Sequence, residues 1–323
     1  MRSHLLHLKN LFDPFILTLI FIFIAGILIP VPNEFIALLK IAGHVAVVCL
    51  FFVYGARLST TEVIDGLKNW KLQLSVFLST FIVFPLVGIV FHPLWTYLLG
   101  GVFAMGTLYV TLLPSTVQSS VSFTSIAGGN VAGAVCAATV SNTAGVVLTP
   151  LLVFLVMGRA SGIDLSTMTN VLLELLLPFI IGQFFQPYIG RWLRTHRWLT
   201  KTVDQGTIVI VVTSAVCGAT AMNLWDKVSV VQALLLVLSS AVVLAVMLAL
   251  TWMGGVVNKL SYEDKIALLM CGSKKSLATG LPMASIIFPI ETVAAVTVPI
   301  IIFHQFQLMV CAFIARSMAR RPQ

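Results

Sequence analysis

Lys274 and Lys275 stand side by side inside an apolar stretch, Met270 to Pro282, that reads MCGSKKSLATGLP. No charge lies between Ile266 and Cys271 before the pair, and none between Leu277 and Phe288 after it. If such a segment crosses a membrane, both amino groups fall near mid-depth. One lysine at the centre of a spanning helix costs about 2.5–3.5 kcal/mol on insertion scales, and two neighbours also repel each other. The chain can hold the pair only where local structure makes room. Gly272, Ser273 and Ser276 flank it, and Gly280 and Pro282 follow. The helix is therefore expected to break here and to turn hydroxyls and freed backbone groups toward the charges. Broken helices at mid-membrane are where secondary transporters place their sites. The competing reading is a cytoplasmic loop between two short helices, and the flanks are too apolar for that.

Composition supports the membrane. Of 323 residues, 59% are hydrophobic and 9% charged, with mean hydropathy +1.05; a soluble domain carries about 25% charged residues. The expected class is an all-α polytopic membrane protein. Its length fits about ten spans of ~20 residues with short connections. Continuous apolar runs argue against a β-barrel, which alternates weakly along each strand. The N-terminus passes from basic residues straight into a full-length apolar run, so it reads as a first span and not as a cleaved signal. Cys49, Cys136, Cys217, Cys271 and Cys311 all lie in apolar runs with no CxxC or metal spacing, as small buried hydrophobes do. Neither HExxH nor GxSxG occurs, and no enzyme is expected.

The expected spans are 15–31, 35–56, 73–92, 95–127, 130–157, 168–188, 203–222, 230–254, 263–288 and 290–315, the fourth and ninth each broken into two half-helices. With the N-terminus inside, fourteen of the nineteen Lys and Arg residues fall on the cytoplasmic side, as positive-inside topology demands. Only Arg159 and Lys227 fall outside, and Lys40, Lys274 and Lys275 lie within spans. Both termini are then cytoplasmic. This asymmetry also accounts for the net charge of +8 without nucleic acid. Residues 15–157 and 168–315 each hold five spans with a polar interruption in the fourth. An odd number of spans inverts the second half, so the chain is expected to be an inverted repeat whose two breaks meet at the site.

The first break, residues 114–125, holds Pro114, Ser115, Thr116, Gln118, Ser119, Ser120, Ser122, Thr124 and Ser125. A proline lacks the N–H that would continue the ladder and pushes Leu113 out of helical geometry. The freed carbonyls, the hydroxyls and the Gln118 amide form an oxygen-rich cluster suited to a small hard cation or a hydrogen-bonded anion. For the lysines three readings compete, in this order. The ammonium groups occupy the place of bound cations and hold the crossing together. Alternatively one lysine exchanges a proton during transport, since burial disfavours the charged form. Or the pair attracts an anionic substrate. Glu174 and Asp204 are the carboxylates near membrane depth that could pair with them. Asn142 in span five and His304 and Gln305 in span ten are expected to support the crossing. Lys40 and His44 share one helix face in span two.

Four stretches resemble the bile acid:sodium symporter family, in its SBF-like branch. They are Leu112-Leu-Pro-Ser-Thr-Val-Gln-Ser-Ser, Gly128-Gly-Asn-Val-Ala, Cys271-Gly-Ser-Lys-Lys-Ser-Leu-Ala and Phe303-His-Gln-Phe-Gln-Leu-Met. The resemblance covers nearly the whole chain. It implies a core domain of spans 3–5 and 8–10, with spans 4 and 9 crossing at their breaks, and a panel of spans 1, 2, 6 and 7. It also implies a multi-pass protein of the bacterial inner membrane that carries a small organic anion by alternating access, with Na⁺ or H⁺ as coupling ion. The crossing would comprise Pro114, Thr116, Gln118, Ser119, Ser120, Gly272, Ser273, Lys274, Lys275 and Ser276. Sodium-coupled members have Ser-Asn where Ser119-Ser120 stands here. They also have a glutamate about where Met270 stands, and Met-Gln-Asn where Ser273, Lys274 and Lys275 stand. Any sodium would sit near Ser119 and Ser120, yet a Na⁺ ~4 Å from an ammonium is strongly repelled in a low-dielectric site. The usual sodium pair is therefore not expected. A regulator of ion flux that does not itself transport is the alternative function.

Overall fold

In hydrocarbon every backbone N–H and C=O has to find a partner within the protein, and this chain meets that demand with helices. The computed structural model describes residues 14–29, 31–58, 69–161, 165–222, 225 and 229–319. In chain order the helices are α1 (Pro14–Leu28), α2 (Asn33–Arg57), α3 (Trp70–Leu99), α4 (Gly101–Leu112), α5 (Gln118–Ile126) and α6 (Val131–Ser161). There follow α7 (Leu165–Thr195), α8 (Arg197–Ala221), α9 (Val230–Val257), α10 (Tyr262–Gly272), α11 (Leu277–Ile287) and α12 (Ile290–Ala319). Seven of them, α2, α3, α6, α7, α8, α9 and α12, are long and apolar enough to cross a membrane. Among the described residues there is no strand. The molecule is an all-helical polytopic membrane protein. Its outer surface is apolar, with Phe21, Leu28, Val90, Phe184 and Phe313 each more than two-thirds exposed, as a lipid-facing surface should be. Arg2, Lys9, Lys68, Lys227, Arg320 and Arg321, which carry part of the expected charge asymmetry, lie outside the described residues.

The polar interruptions do break helices, but several expected boundaries move: α7 runs on to Thr195 and α8 starts at Arg197, past the expected 188 and ahead of the expected 203. The third span was expected to end at His92, before Pro93. Instead α3 runs through Pro93 to Leu99, and the chain turns at Gly100, whose φ of 79° suits a residue without Cβ. A proline removes one ladder hydrogen bond, whereas the Gly100–Gly101 pair removes the side chains that hold a helix on course. The first break is also shorter than residues 114–125. Only 113–117 leave the helix, and Gln118 to Ser125 ride on α5. The second break, expected over 272–276, occupies 273–276, with Gly272 the last residue of α10.

The helices pack in two neighbourhoods. In one, α2 lies against α7 and α8, and α1 against α8. In the other, α3, α6, α9 and α12 surround the two broken pairs, α4–α5 and α10–α11. A carboxylate clips the second group together. Asn69 and Asn130 each donate through Nδ2 to Asp264, at 2.9 and 2.7 Å, and Asn130 N donates to Glu263 O at 3.0 Å. The starts of α3, α6 and α10 are thereby held to one point.

Between α2 and α7 the backbones meet directly. A Cβ on Gly55 would strike the Phe179 carbonyl, and one on Gly182 would strike the Phe52 carbonyl. Small residues that let backbones approach are the usual means of helix association in lipid, where there is no hydrophobic drive between helices. Gly182→Ala is therefore expected to destabilise the protein by about 1–3 kcal/mol, as overpacking does. Thermal unfolding of the purified protein measures this. Gly206→Ala serves as control and is expected not to lower Tm, because a Cβ there meets nothing within 4 Å.

Candidate functional site at the crossing of two broken helices

A helix that stops leaves its last four carbonyls without N–H partners. At mid-membrane each orphan would cost several kcal/mol. Both breaks solve this with donors from each other and from α3 and α6. At the end of α10, the carbonyls of Leu269, Met270, Cys271 and Gly272 accept from the hydroxyls of Ser273 (2.5 Å), Ser120 (2.9 Å), Ser115 (2.5 Å) and Ser79 (3.1 Å). At the end of α4, the Leu112 carbonyl accepts from the Thr149 hydroxyl at 3.0 Å, and the Pro114 carbonyl from Ser276 N at 2.9 Å. The Ser115 carbonyl accepts from Asn142 Nδ2 at 2.6 Å. Ser276 also caps α11, accepting from Thr279 N at 3.2 Å, and the Thr279 hydroxyl donates to Asn142 Oδ1 at 2.7 Å. The hydroxyls read from the sequence as ion ligands thus serve first to terminate the helices.

Lys274 and Lys275 are fully buried. The Lys275 Nζ donates to the Leu113 carbonyl at 2.6 Å and the Thr80 carbonyl at 2.9 Å, and lies 4.2 Å from the centre of the Phe84 ring. Leu113 belongs to the first break. Thr80 is free for a reason that is local to α3. Residues Ser79–Val83 widen to a π-helix, in which Phe84 N–H reaches back to the Ser79 carbonyl. The next bond of that series would run from residue 85 to the Thr80 carbonyl, but residue 85 is a proline and has no N–H. The lysine takes the place of the missing donor. Such π-bulges recur at functional sites. The backbone of Lys275 is held as well. Its N–H donates to Gln307 Oε1 at 2.8 Å, and its carbonyl accepts from Gln307 Nε2 at 2.7 Å. Lys274 reaches the other side of the crossing, with Nζ 3.5 Å from the Ser119 hydroxyl and 4.5 Å from the Phe123 ring centre. The Thr116 hydroxyl lies 2.8 Å from those of both Ser119 and Ser120.

The structure thus brings Pro114, Thr116, Ser119, Ser120, Gly272, Ser273, Lys274, Lys275, Ser276 and Asn142 to one place. Gln118 does not join them, being exposed on α5. In α12 the buried glutamine at the crossing is Gln307 and not Gln305. Gln305 and Gln307 point in different directions because they are two residues apart on a helix. His304 lies behind Gln307, with Nδ1 2.9 Å from Gln307 Nε2. Neither candidate carboxylate reaches the lysines. Glu174 pairs with His44 at 2.7 Å, and Asp204 lies beside Tyr54 and Arg57. Thr80, Phe84 and Pro85 escaped the sequence reading of the site, whereas Gln307 lies in the polar stretch of span ten that it noted, two residues from the expected Gln305. Pro85 beside Ser79-Thr80 in an apolar span was the available signal. Among the described residues no group of three His, Cys, Asp or Glu side chains could hold a metal ion. What remains is a set of carbonyls and hydroxyls already engaged by two amino groups.

Known proteins are similar to this chain over most of its length. YfeH of Escherichia coli (strain K12) is 40% identical over 320 residues, covering 98% of this chain and 96% of that protein. The Pseudomonas aeruginosa protein PA2026 is 40% identical over 311 residues, or 96% of this chain and 93% of its own. The mouse protein called sodium/bile acid cotransporter 7 is 28% identical over 280 residues, covering 83% of this chain and 80% of that one. The profile of the SBF-like CPA transporter family matches residues 13–320, and the chain belongs to that family.

Proposed function

We propose that the protein is a secondary-active carrier of an organic anion whose crossing holds tethered ammonium groups in place of coupled cations. The observation that carries this is the Lys275 Nζ, bound to carbonyls of two different segments. An ammonium has three N–H bonds and no acceptor. Two carbonyls and the face of the Phe84 ring account for all three. The Leu113 carbonyl also lies just past the C-terminal end of α4, where the helix dipole favours a cation. A mobile Na⁺ binding the same oxygens would have to displace a covalently attached competitor. Near Ser119 and Ser120 it would meet Lys274, 3.5 Å from the first hydroxyl. Sodium does not fit this donor set while the amino group occupies its carbonyls.

The architecture in this reading is ten spans in two inverted repeats, 15–157 and 168–315, with α4–α5 and α10–α11 as the broken fourth and ninth. The packing supports it by its symmetry: α3 lies on α4 as α9 lies on α10, and α12 on α4 as α6 on α10. The core is then α3–α6 with α9–α12, and the panel α1, α2, α7 and α8. Both termini are cytoplasmic and the membrane is a bacterial inner membrane. The solute passes as the core moves against the panel. The name of the mouse relative points to an amphipathic organic anion as the class of solute.

Thermal unfolding in a sodium titration, with potassium as control, tests the cation argument. The wild type is expected to ignore the exchange. The variant Lys274→Gln/Lys275→Asn is expected to gain a sodium-dependent rise in Tm, equivalent to about 2.7 kcal/mol at a hundredfold excess over Kd. Its baseline falls, because each carbonyl left without a donor costs about 1–3 kcal/mol. Counterflow of organic anions in proteoliposomes is expected to proceed with K⁺ in place of Na⁺. A wild type stabilised by sodium, or counterflow that requires it, overturns this reading.

A further inference from the structure

A cavity of about 200 Å³ opens between α2 and α8 on one side and α11 and α12 on the other. Lys40 and His44 line it from α2, Ser214 from α8 and Ser285 from α11, while Phe288 and Val293 form apolar wall. It is separate from the crossing, whose lysines do not reach it. The His44 Nδ1 lies 2.7 Å from Glu174 Oε1 of α7, the one ion pair among the described residues. Both side chains keep access, at 40% and 33% exposure.

We propose that this cavity receives an anionic head group together with a proton, Lys40 being the fixed positive charge and the His44–Glu174 pair the group that the proton binds. The proposal rests on the transport reading for the passage of the anion, not for its binding. With the imidazole protonated, two cationic side chains face one carboxylate, and the cavity attracts an anion. With the imidazole neutral, Lys40 and Glu174 offset each other and the attraction is gone. Imidazole is the side chain that titrates in the physiological range. Few other charges among the described side chains face it. On α2 there is Lys40, four residues away, with Glu34 further along. On α7 there is Glu174. On α8 the nearest charge is Asp204, which lies beside Tyr54 and Arg57. Helix α11 carries none, and on the described side chains of α12 the first is Arg316. Ser214 brings a hydroxyl for a carboxylate, sulfonate or phosphate head, the Ser285 hydroxyl being engaged with the Pro282 carbonyl at 2.8 Å, and the wall of Phe288 and Val293 suits an apolar body. A proton taken up with a monoanion would also provide the coupling that the tethered ammonium groups deny to sodium.

The test needs no knowledge of the solute. A cysteine is placed in the cavity by Ser285→Cys, and separately by Ser214→Cys as a second position. Exposed Cys49 is first removed by Cys49→Ala, which leaves only the buried native thiols. The rates of reaction with a negatively charged sulfonatoethyl methanethiosulfonate and a positively charged trimethylammonioethyl one are compared. Their ratio cancels the reactivity of the thiolate and reports the local potential. The anionic reagent is expected to be favoured at about pH 6, and the ratio to fall about threefold by about pH 8, as one charge nearby is lost. His44→Gln is expected to abolish that pH dependence, and Lys40→Gln to lower the ratio at every pH. A ratio that is flat with pH in the parent, or indifferent to both substitutions, overturns the proposal, as does a cysteine that is inert at both positions. If the potential behaves as stated but no anion crosses the membrane, the site stands and the transport reading falls.

Discussion

One amino group joins three segments of this protein. Lys275 ties the end of α4 to the π-bulge of α3, and its own backbone is fastened by Gln307 of α12. Remove the side chain and three problems appear together: a proline-freed carbonyl in α3, a break-freed carbonyl after α4, and a void beneath the Phe84 ring. None can be repaired by water without opening the interior. Burying a lysine is costly in itself, and the cost is acceptable here because the fold would otherwise bury bare carbonyls. Charge and break thus require each other. A straight helix at 273–276 could not solvate Lys275, and a broken helix with a leucine in its place would leave the Thr80 and Leu113 oxygens unpaired.

Much of this was legible in the chain. Two adjacent lysines in an apolar run forced a break, and Pro114 with its hydroxyl-rich followers marked the partner break. What could not be read was which atoms would meet. Pro85 frees the Thr80 carbonyl only because the preceding turn widens into a π-helix, and the donor that reaches it stands 195 residues further along the chain. Gln305 and Gln307 have the same chemistry, and only the rotation of α12 in the packed structure selects the second. Glu174 was a sound candidate for a lysine partner by depth alone, yet α7 lies against α2, so its carboxylate finds His44. The end of α3 lies seven residues past the expected His92 for a simpler reason: a membrane helix tolerates the one hydrogen bond lost at Pro93, whereas the chain leaves helical geometry at Gly100, whose φ is 79°.

The division of polar groups also bears on movement. At the crossing the carbonyls named above are paired and Lys275 is held by both its amino group and its backbone, which ties these segments together. Gly55 and Gly182 bring α2 and α7 backbone against backbone. Between the two groups of helices the structure has a cavity, with α8 touching α11 and α12 around it. On the proposed mechanism, motion belongs at that looser boundary. Tyr54 marks its other side, standing on α2 against both Asp204 of α8 and Thr279 of α11. Thr279 is hydrogen-bonded to Asn142, which holds the first break. A shift of α2 relative to α11 must therefore exchange the Tyr54 contact while leaving the Asn142–Thr279 bond intact. The tethered amino groups also bear on energy coupling. On the proposed mechanism a covalently attached amine cannot be released to either side of the membrane, so the solute whose occupancy changes during the cycle binds at the boundary.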